Sequence, residues 1–181
     1  LLLALAGLAL VAGTILAMLG AVTYGTSREE ALHALITQRQ AVTRRINHAV
    51  RNAREVIEQD DQMLALWQND DDGNGQASTD ELLLIRHDAD SDRLLAYTAE
   101  NDGGSSTLLD DITGDLLNTL KSLLDGDSFA KSRWADHVTS WSVSLDNTTP
   151  EDTRLVSYRL KLQRGAVSET VIGAARLRNK K

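Results

Sequence analysis

The segment Asp70-Asp71-Asp72-Gly73-Asn74-Gly75-Gln76-Ala77-Ser78-Thr79-Asp80-Glu81 places five carboxylates, two amides and two hydroxyls within twelve residues. It fits the pattern D-x-[DN]-x-[DN]-G-x₅-E at every specified position. Oxygen side chains at alternate positions, a glycine where the chain turns sharply and a glutamate at the end are what a seven-oxygen calcium shell requires. The expected ligands to one Ca²⁺ are side-chain oxygens of Asp70, Asp72, Asn74, Ser78 (directly or through water) and Glu81, with the backbone carbonyl of Gln76. Two features depart from an EF-hand. Ala77 stands where a branched apolar residue is usual, and Glu81 is followed by the strand-like Leu82-Leu83-Leu84-Ile85 rather than an exit helix. The segment therefore reads as a single EF-like loop with a structural role, against the simpler alternative of a solvated acidic turn.

Other reactive residues are scattered. Asp88-Ala89-Asp90-Ser91-Asp92 imitates the first half of the same pattern, but Arg93 takes the glycine position and Ala99 the glutamate position, so a hairpin turn is expected there. His33, His48, His87 and His137 lack the paired spacing of a metal site and read as surface or packing residues. The chain has no cysteine, which removes disulfides, thiolate metal sites and cysteine nucleophiles together. No nucleophile-elbow, P-loop or dinucleotide-binding pattern occurs. The expectation is a non-enzymatic protein without a small-molecule substrate.

The elements that carry the acidic loop begin with a helix. Residues 1–22, LLLALAGLALVAGTILAMLGAV, carry no charge, and the first charged side chain is Arg28. Twenty-two residues make about 33 Å of helix, enough for a hydrocarbon core of about 30 Å, whereas a signal peptide has a shorter apolar core and a small-x-small cleavage site. Residues 1–26 are thus expected to form a transmembrane helix, with Gly7, Gly13 and Gly20 allowing close helix approach. From Ser27 an amphipathic pattern follows. Leu35, Val42, Ala49, Val56 and Met63 recur every seven residues, with Leu32, Ile46, Ala53 and Trp67 in the second seam position. This predicts a continuous helix over 27–68, docked on its own globular domain because Arg39 and Asp60 interrupt the seam.

Residues 69–181 read as a globular head. Leu82–Arg86 and Leu94–Thr98 predict a hairpin, and Leu108, Ile112, Leu116, Leu120 and Leu124 predict a helix that stops at Gly126. Trp141, Val143 and Leu145, then Val156, Tyr158, Leu160 and Leu162, alternate with polar residues. With the turn at Gln163-Arg164-Gly165-Ala166 and the run Val171–Leu177 they predict an antiparallel meander. The fold class is α+β, a long N-terminal helix packed on a C-terminal antiparallel sheet. Trp67, Trp134 and Trp141 are assigned to core packing.

Charge is segregated along the chain. The net charge of −7 divides into +4 over residues 28–54, −16 over 55–127 and +5 over 128–181. The acidic middle and the lack of aromatic residues among the basic stretches argue against nucleic acid. Taken alone, the basic stretch after the apolar run favours a cytoplasmic head.

The uncharged Leu/Ala-rich span flowing into an amphipathic helix resembles the N-terminal half of type IV pilin-like proteins. Within that family the chain resembles the J-type minor pseudopilins of type II secretion and the W-type minor pilins. RWADHVTSWSVSL at 133–145 is similar to a strand of those subunits, and GAARLRNKK at 173–181 is similar to their closing strand, which often ends in R-x-R-N. The family's peptidase site, Gly followed by an aromatic and then Thr-Leu-x-Glu, does not occur. LLLALAGLAL looks like the stretch just downstream of it, so the mature protein is expected to begin a few residues ahead of Leu1, and the family's cleavage, N-methylation and glutamate are carried onto no residue here. The resemblance implies a pilin-like fold and a structural role as a filament subunit, major or minor. It also implies a single-pass anchor in the bacterial inner membrane, a periplasmic head, and partnership with other pilin-like subunits through the N-terminal helix. The alternative is a membrane-anchored extracytoplasmic calcium-binding sensor or adaptor.

Overall fold

The computed structural model describes residues 2–70, 73–99, 107–109, 115–124 and 129–178. Helix α1, Leu2–Asn52, has 51 residues and so extends about 77 Å. In its N-terminal part Leu10, Val11, Ile15, Leu16, Met18, Leu19 and Val22 are all exposed. The three threonines of this part, Thr14, Thr23 and Thr26, return their hydroxyl protons to carbonyls three or four residues earlier, so these hydroxyls do not need water. The helix is long and apolar enough to cross a membrane. Its C-terminal part buries one stripe, Leu35, Val42, Ile46, Ala49 and Val50, with Ala53 just beyond its end, at the three- and four-residue spacing of a single helical face.

The helix ends at Asn52, and the expected continuation to Gln68 is instead a β-hairpin: β1, Glu55–Gln59, and β2, Met63–Trp67. The Arg54 amide leaves the helix to donate to the Trp67 carbonyl at 2.8 Å, and the Gln68 side chain donates to the Ala49 carbonyl at the frayed end, 3.1 Å away. Asp60 makes the turn, its carboxylate accepting the Gln62 and Met63 amides. The seven-residue repeat misled because β2 is buried along its whole length, and a short run buried on both faces has no period of its own. Val56 in β1 pairs with Leu66 in β2 and shares its core cluster, whereas Met63, an odd number of residues from Leu66 along β2, faces the other cluster.

Two antiparallel sheets follow from eight strands. The first has the order β1-β2-β3-β4-β5, with β3 at Leu82–Asp88, β4 at Arg93–Ala99 and β5 at Phe129–Asp136. The second is β6-β7-β8, comprising Val138–Leu145, Leu155–Arg164 and Val167–Arg176. The hairpin and the C-terminal meander stand where alternation placed them. Strand β5 had no such signal, because Lys131, Ser132 and Arg133 are exposed in its centre and only its ends bury apolar side chains. It closes the sheet as a charged edge, which discourages further strand pairing.

The five-stranded sheet separates two apolar clusters. Leu64, Leu66, Leu83, Ile85, Leu94 and Ala96 face α1 and the second sheet, where they meet Ile46, Trp141, Tyr158 and Leu160. Met63, Ala65, Trp67, Leu84, Leu95 and Tyr97 face the opposite way onto helix α2, Leu116–Leu124, through Leu120 and Leu124. The predicted helix is therefore present from Leu116, but Leu108, expected to open it, forms a β-bridge with Ser78 instead; residues 110–114 and Gly126 of that prediction lie outside the described residues. The second sheet is pinned to the first by His87, whose Nε2 hydrogen-bonds the Val138 carbonyl at 2.9 Å. Gly165 closes the β7–β8 hairpin with φ +60° and no positive φ at Ala166, the pattern of a two-residue type II′ turn. Trp67 and Trp141 are buried and Trp134 packs against the core, as assigned.

Candidate functional site

The acidic loop connects two strands rather than a helix to a strand. Trp67 pairs with Leu82 in the β2–β3 ladder, and the Gln68 amide donates to the Glu81 carbonyl at 3.0 Å, so both ends of the loop are clamped by the sheet. Its C-terminal half is also held from outside, by Thr79 donating to the Thr107 carbonyl, Leu109 donating to the Ala77 carbonyl and a bridge between Ser78 and Leu108. Residues 73–76 are exposed and turn on two residues in the left-handed region, Gly73 at φ +70° and Gly75 at φ +77°. Both conformations favour glycine, which pays no Cβ penalty there.

The six expected ligands are not arranged alike. Asp70 and Gly75 are brought together as a metal loop needs, the Gly75 amide donating to Asp70 Oδ1 at 3.2 Å. Asp70 Oδ2 accepts from Arg54 at 2.5 Å, and the Arg54 guanidinium lies over the Trp67 ring 4.4 Å from its centroid. Asn74 Oδ1 accepts the Gln76 amide at 2.6 Å, which tightens the exposed turn. Gln76 is exposed, and Asp72 lies outside the described residues. Ser78 is buried and donates its hydroxyl to Asp80 Oδ1 at 2.6 Å. Glu81 is only 5% exposed, and its Oε2 accepts the Trp67 indole N–H at 3.0 Å and the Ser78 amide at 3.3 Å. Among the described residues no three carboxylate or imidazole groups converge to hold a metal ion. The oxygen-only donor set suits a hard cation. Asp70 would have to exchange Arg54 for the ion.

The second acidic cluster is a hairpin turn, as its sequence indicates. Ser91 Oγ donates to Asp88 Oδ2 at 2.6 Å, the Asp90 amide donates to Asp88 Oδ1, and Asp92 takes φ +52°. The Ser91 hydroxyl, with the turn amides, holds the Asp88 carboxyl below the usual range. Burial raises the Tyr158 phenol, whose hydroxyl donates to Asn47 on α1 at 3.1 Å.

Sequence reasoning missed Arg54, whose position beside Asp70 depends on the helix ending at Asn52. It also missed a groove at the C-terminal end of α1 lined by Arg44, His48, Arg51, Arg176 and Arg178. The separately basic segments 28–54 and 128–181 were its only trace in the sequence. No protein family, curated protein or solved structure matches the chain.

Proposed function

We propose that the chain is a structural subunit, of the minor class, of a type II secretion pseudopilus or related type IV pilus-like filament. The observation that carries this reading is α1: one helix whose first part exposes apolar side chains on every side while its last part is fixed to a two-sheet head. An all-round apolar helix requires lipid or like helices around it, and small residues at Gly7, Gly13 and Gly20 permit the latter. The subunit is anchored in the inner membrane before assembly, with its head in the periplasm. It performs no catalysis; its partners are other pilin-like subunits. Calcium in the 70–81 loop offsets the carboxylate charge and fastens the β2–β3 connection, a structural use of the ion.

Mass spectrometry of the intact protein extracted from membranes tests this reading. The filament reading expects the apolar helix to stand at the N-terminus of the mature protein. A folded cytoplasmic domain ahead of Leu1 would refute the filament assignment and favour a membrane-anchored calcium sensor.

A further inference from the structure

We infer that the groove between α1 and the tip of the β7–β8 hairpin binds the headgroup of a phospholipid that carries a phosphodiester and a primary ammonium, as phosphatidylethanolamine does. This inference rests on the proposed anchoring of α1 in a bilayer and deepens that reading by naming a lipid contact. The groove encloses about 740 Å³, walled by Gly25, Arg28, Glu30 and Ala31 of α1 and by Arg164 and Val167 of the hairpin. Arg28, Glu30 and Arg164 are exposed, and none of their side chains forms an ion pair or hydrogen bond among the described residues. Glu29 is exposed too but does not line the groove, and farther along the helix Arg39 is engaged by Glu169 of β8.

Position along α1 sets the source of the ligand. The uncharged run ends at Val22, and Arg28 follows six residues later, about 9 Å farther along the axis. A bilayer about 40–45 Å thick with a hydrocarbon core of about 30 Å leaves about 5–8 Å of headgroup layer on each side. Arg28 therefore stands at the outer edge of that layer, and a long arginine stem reaches back into it. The hairpin tip is at the same level, because Arg164 and Val167 share the groove with Arg28. The acidic β3–β4 turn lies higher. Its Asp92 carbonyl accepts the Val138 amide beside Asp136, and the Asp136 carbonyl accepts from Gln38, ten residues and about 15 Å beyond Arg28. That separation exceeds a Debye length of about 8 Å, so the exposed Asp90 and Asp92 weigh little at the groove.

Two cations and one anion in the lining match a zwitterion better than an anion. The phosphodiester oxygens accept from Arg28 and Arg164, whose guanidinium forks suit that geometry. The primary ammonium donates to the Glu30 carboxylate. A trimethylammonium headgroup has no N–H to donate, and a glycerol headgroup would leave Glu30 facing a phosphate with no cation of the lipid between them. Ala31 and Val167, both half-buried, offer apolar contact to the glycerol end of the lipid. An occupied groove fastens the hairpin tip to the membrane surface.

The test reconstitutes the full chain in nanodiscs of phosphatidylethanolamine, phosphatidylcholine and phosphatidylglycerol in equal parts and reads the lipid it retains by native mass spectrometry. Wild type is expected to keep one phosphatidylethanolamine about tenfold over either of the others. R28A/R164A should lose the retained lipid. Glu30→Gln should keep a lipid but bring phosphatidylethanolamine within about twofold of phosphatidylcholine. R44A/R51A removes the same charge from the far end of α1 and should change nothing. All of these side chains are exposed. If the inserted wild type shows no preference, or if R28A/R164A or Glu30→Gln leaves the preference intact, this inference is overturned while the membrane anchoring stands. Displacement of the lipid by excess inorganic phosphate would make this a site for the free anion and overturn it likewise. A chain that alkaline carbonate strips from vesicles overturns the anchoring and the lipid site together.

Discussion

Calcium should raise the thermal midpoint of the wild-type chain, and a single conservative substitution separates the metal from the fold. Extracellular-type sites bind with dissociation constants of about 10⁻⁴ M. At about 10⁻³ M free calcium, linkage then gives RT ln 11, about 1.4 kcal/mol. For a chain of 181 residues that corresponds to a rise of about 3–6 °C. Glu81→Gln keeps an oxygen for the Trp67 indole and the Ser78 amide but loses the carboxylate a calcium shell needs at that position. It should therefore melt within about 1–2 °C of wild type in chelator and show no response to calcium. Asp70→Ala should also abolish the response, and in chelator should cost a further ~1 kcal/mol because the Arg54 ion pair and the Gly75 hydrogen bond are both lost. The assay is calorimetry of the full chain in detergent, with calcium and with chelator. Equal midpoints for wild type under the two conditions would refute the metal reasoning and leave a solvated acidic turn.

Three further substitutions probe the fold. Ile46→Ala removes a fully buried side chain from the core that α1 shares with the two sheets and should cost about 2–5 kcal/mol in denaturant titration; a loss below 1 kcal/mol would mean the helix is not seated there. Gly173→Ala builds a Cβ into the Tyr158 ring, which must swing away from Asn47, so a loss of about 1–3 kcal/mol is expected in the same titration. Burial acts to raise the Asp60 carboxyl, but the Lys121 hydrogen bond and the Gln62 and Met63 amides outweigh it and leave it below its ordinary value. Because the folded value is the lower one, its stabilisation is complete above the ordinary carboxylate range, near pH 4, and is lost as pH falls through the folded value. Asp60→Asn should accordingly flatten the acid limb of stability against pH, and an unchanged limb would show that the Lys121 pair is not formed.

Alternation made the β6–β7–β8 meander legible because its strands keep one face wet, whereas the β3–β4 hairpin was legible as two short apolar runs joined by turn residues. The membrane-length helix was legible from the absence of charge before Arg28. The β1–β2 hairpin was not, since Met63–Trp67 lies between two cores and presents an unbroken apolar run that continues the helical phase. That error placed the acidic loop after a helix when it joins two strands. It also hid Arg54 and Trp67, which hold Asp70 and Glu81 from outside the loop itself. A linear motif specifies donors at fixed spacing; it does not specify which neighbours from other strands compete for them.

The central claim is that the exposed apolar part of α1 packs against like helices. Cysteines at Ala12 or Ala17, both in that part of the helix, test it most directly through cross-linking in cells that express the full secretion or pilus operon. The account predicts covalent products between subunits that depend on the assembly machinery. A chain that remains monomeric under those conditions, with its helix in contact with lipid alone, would contradict it.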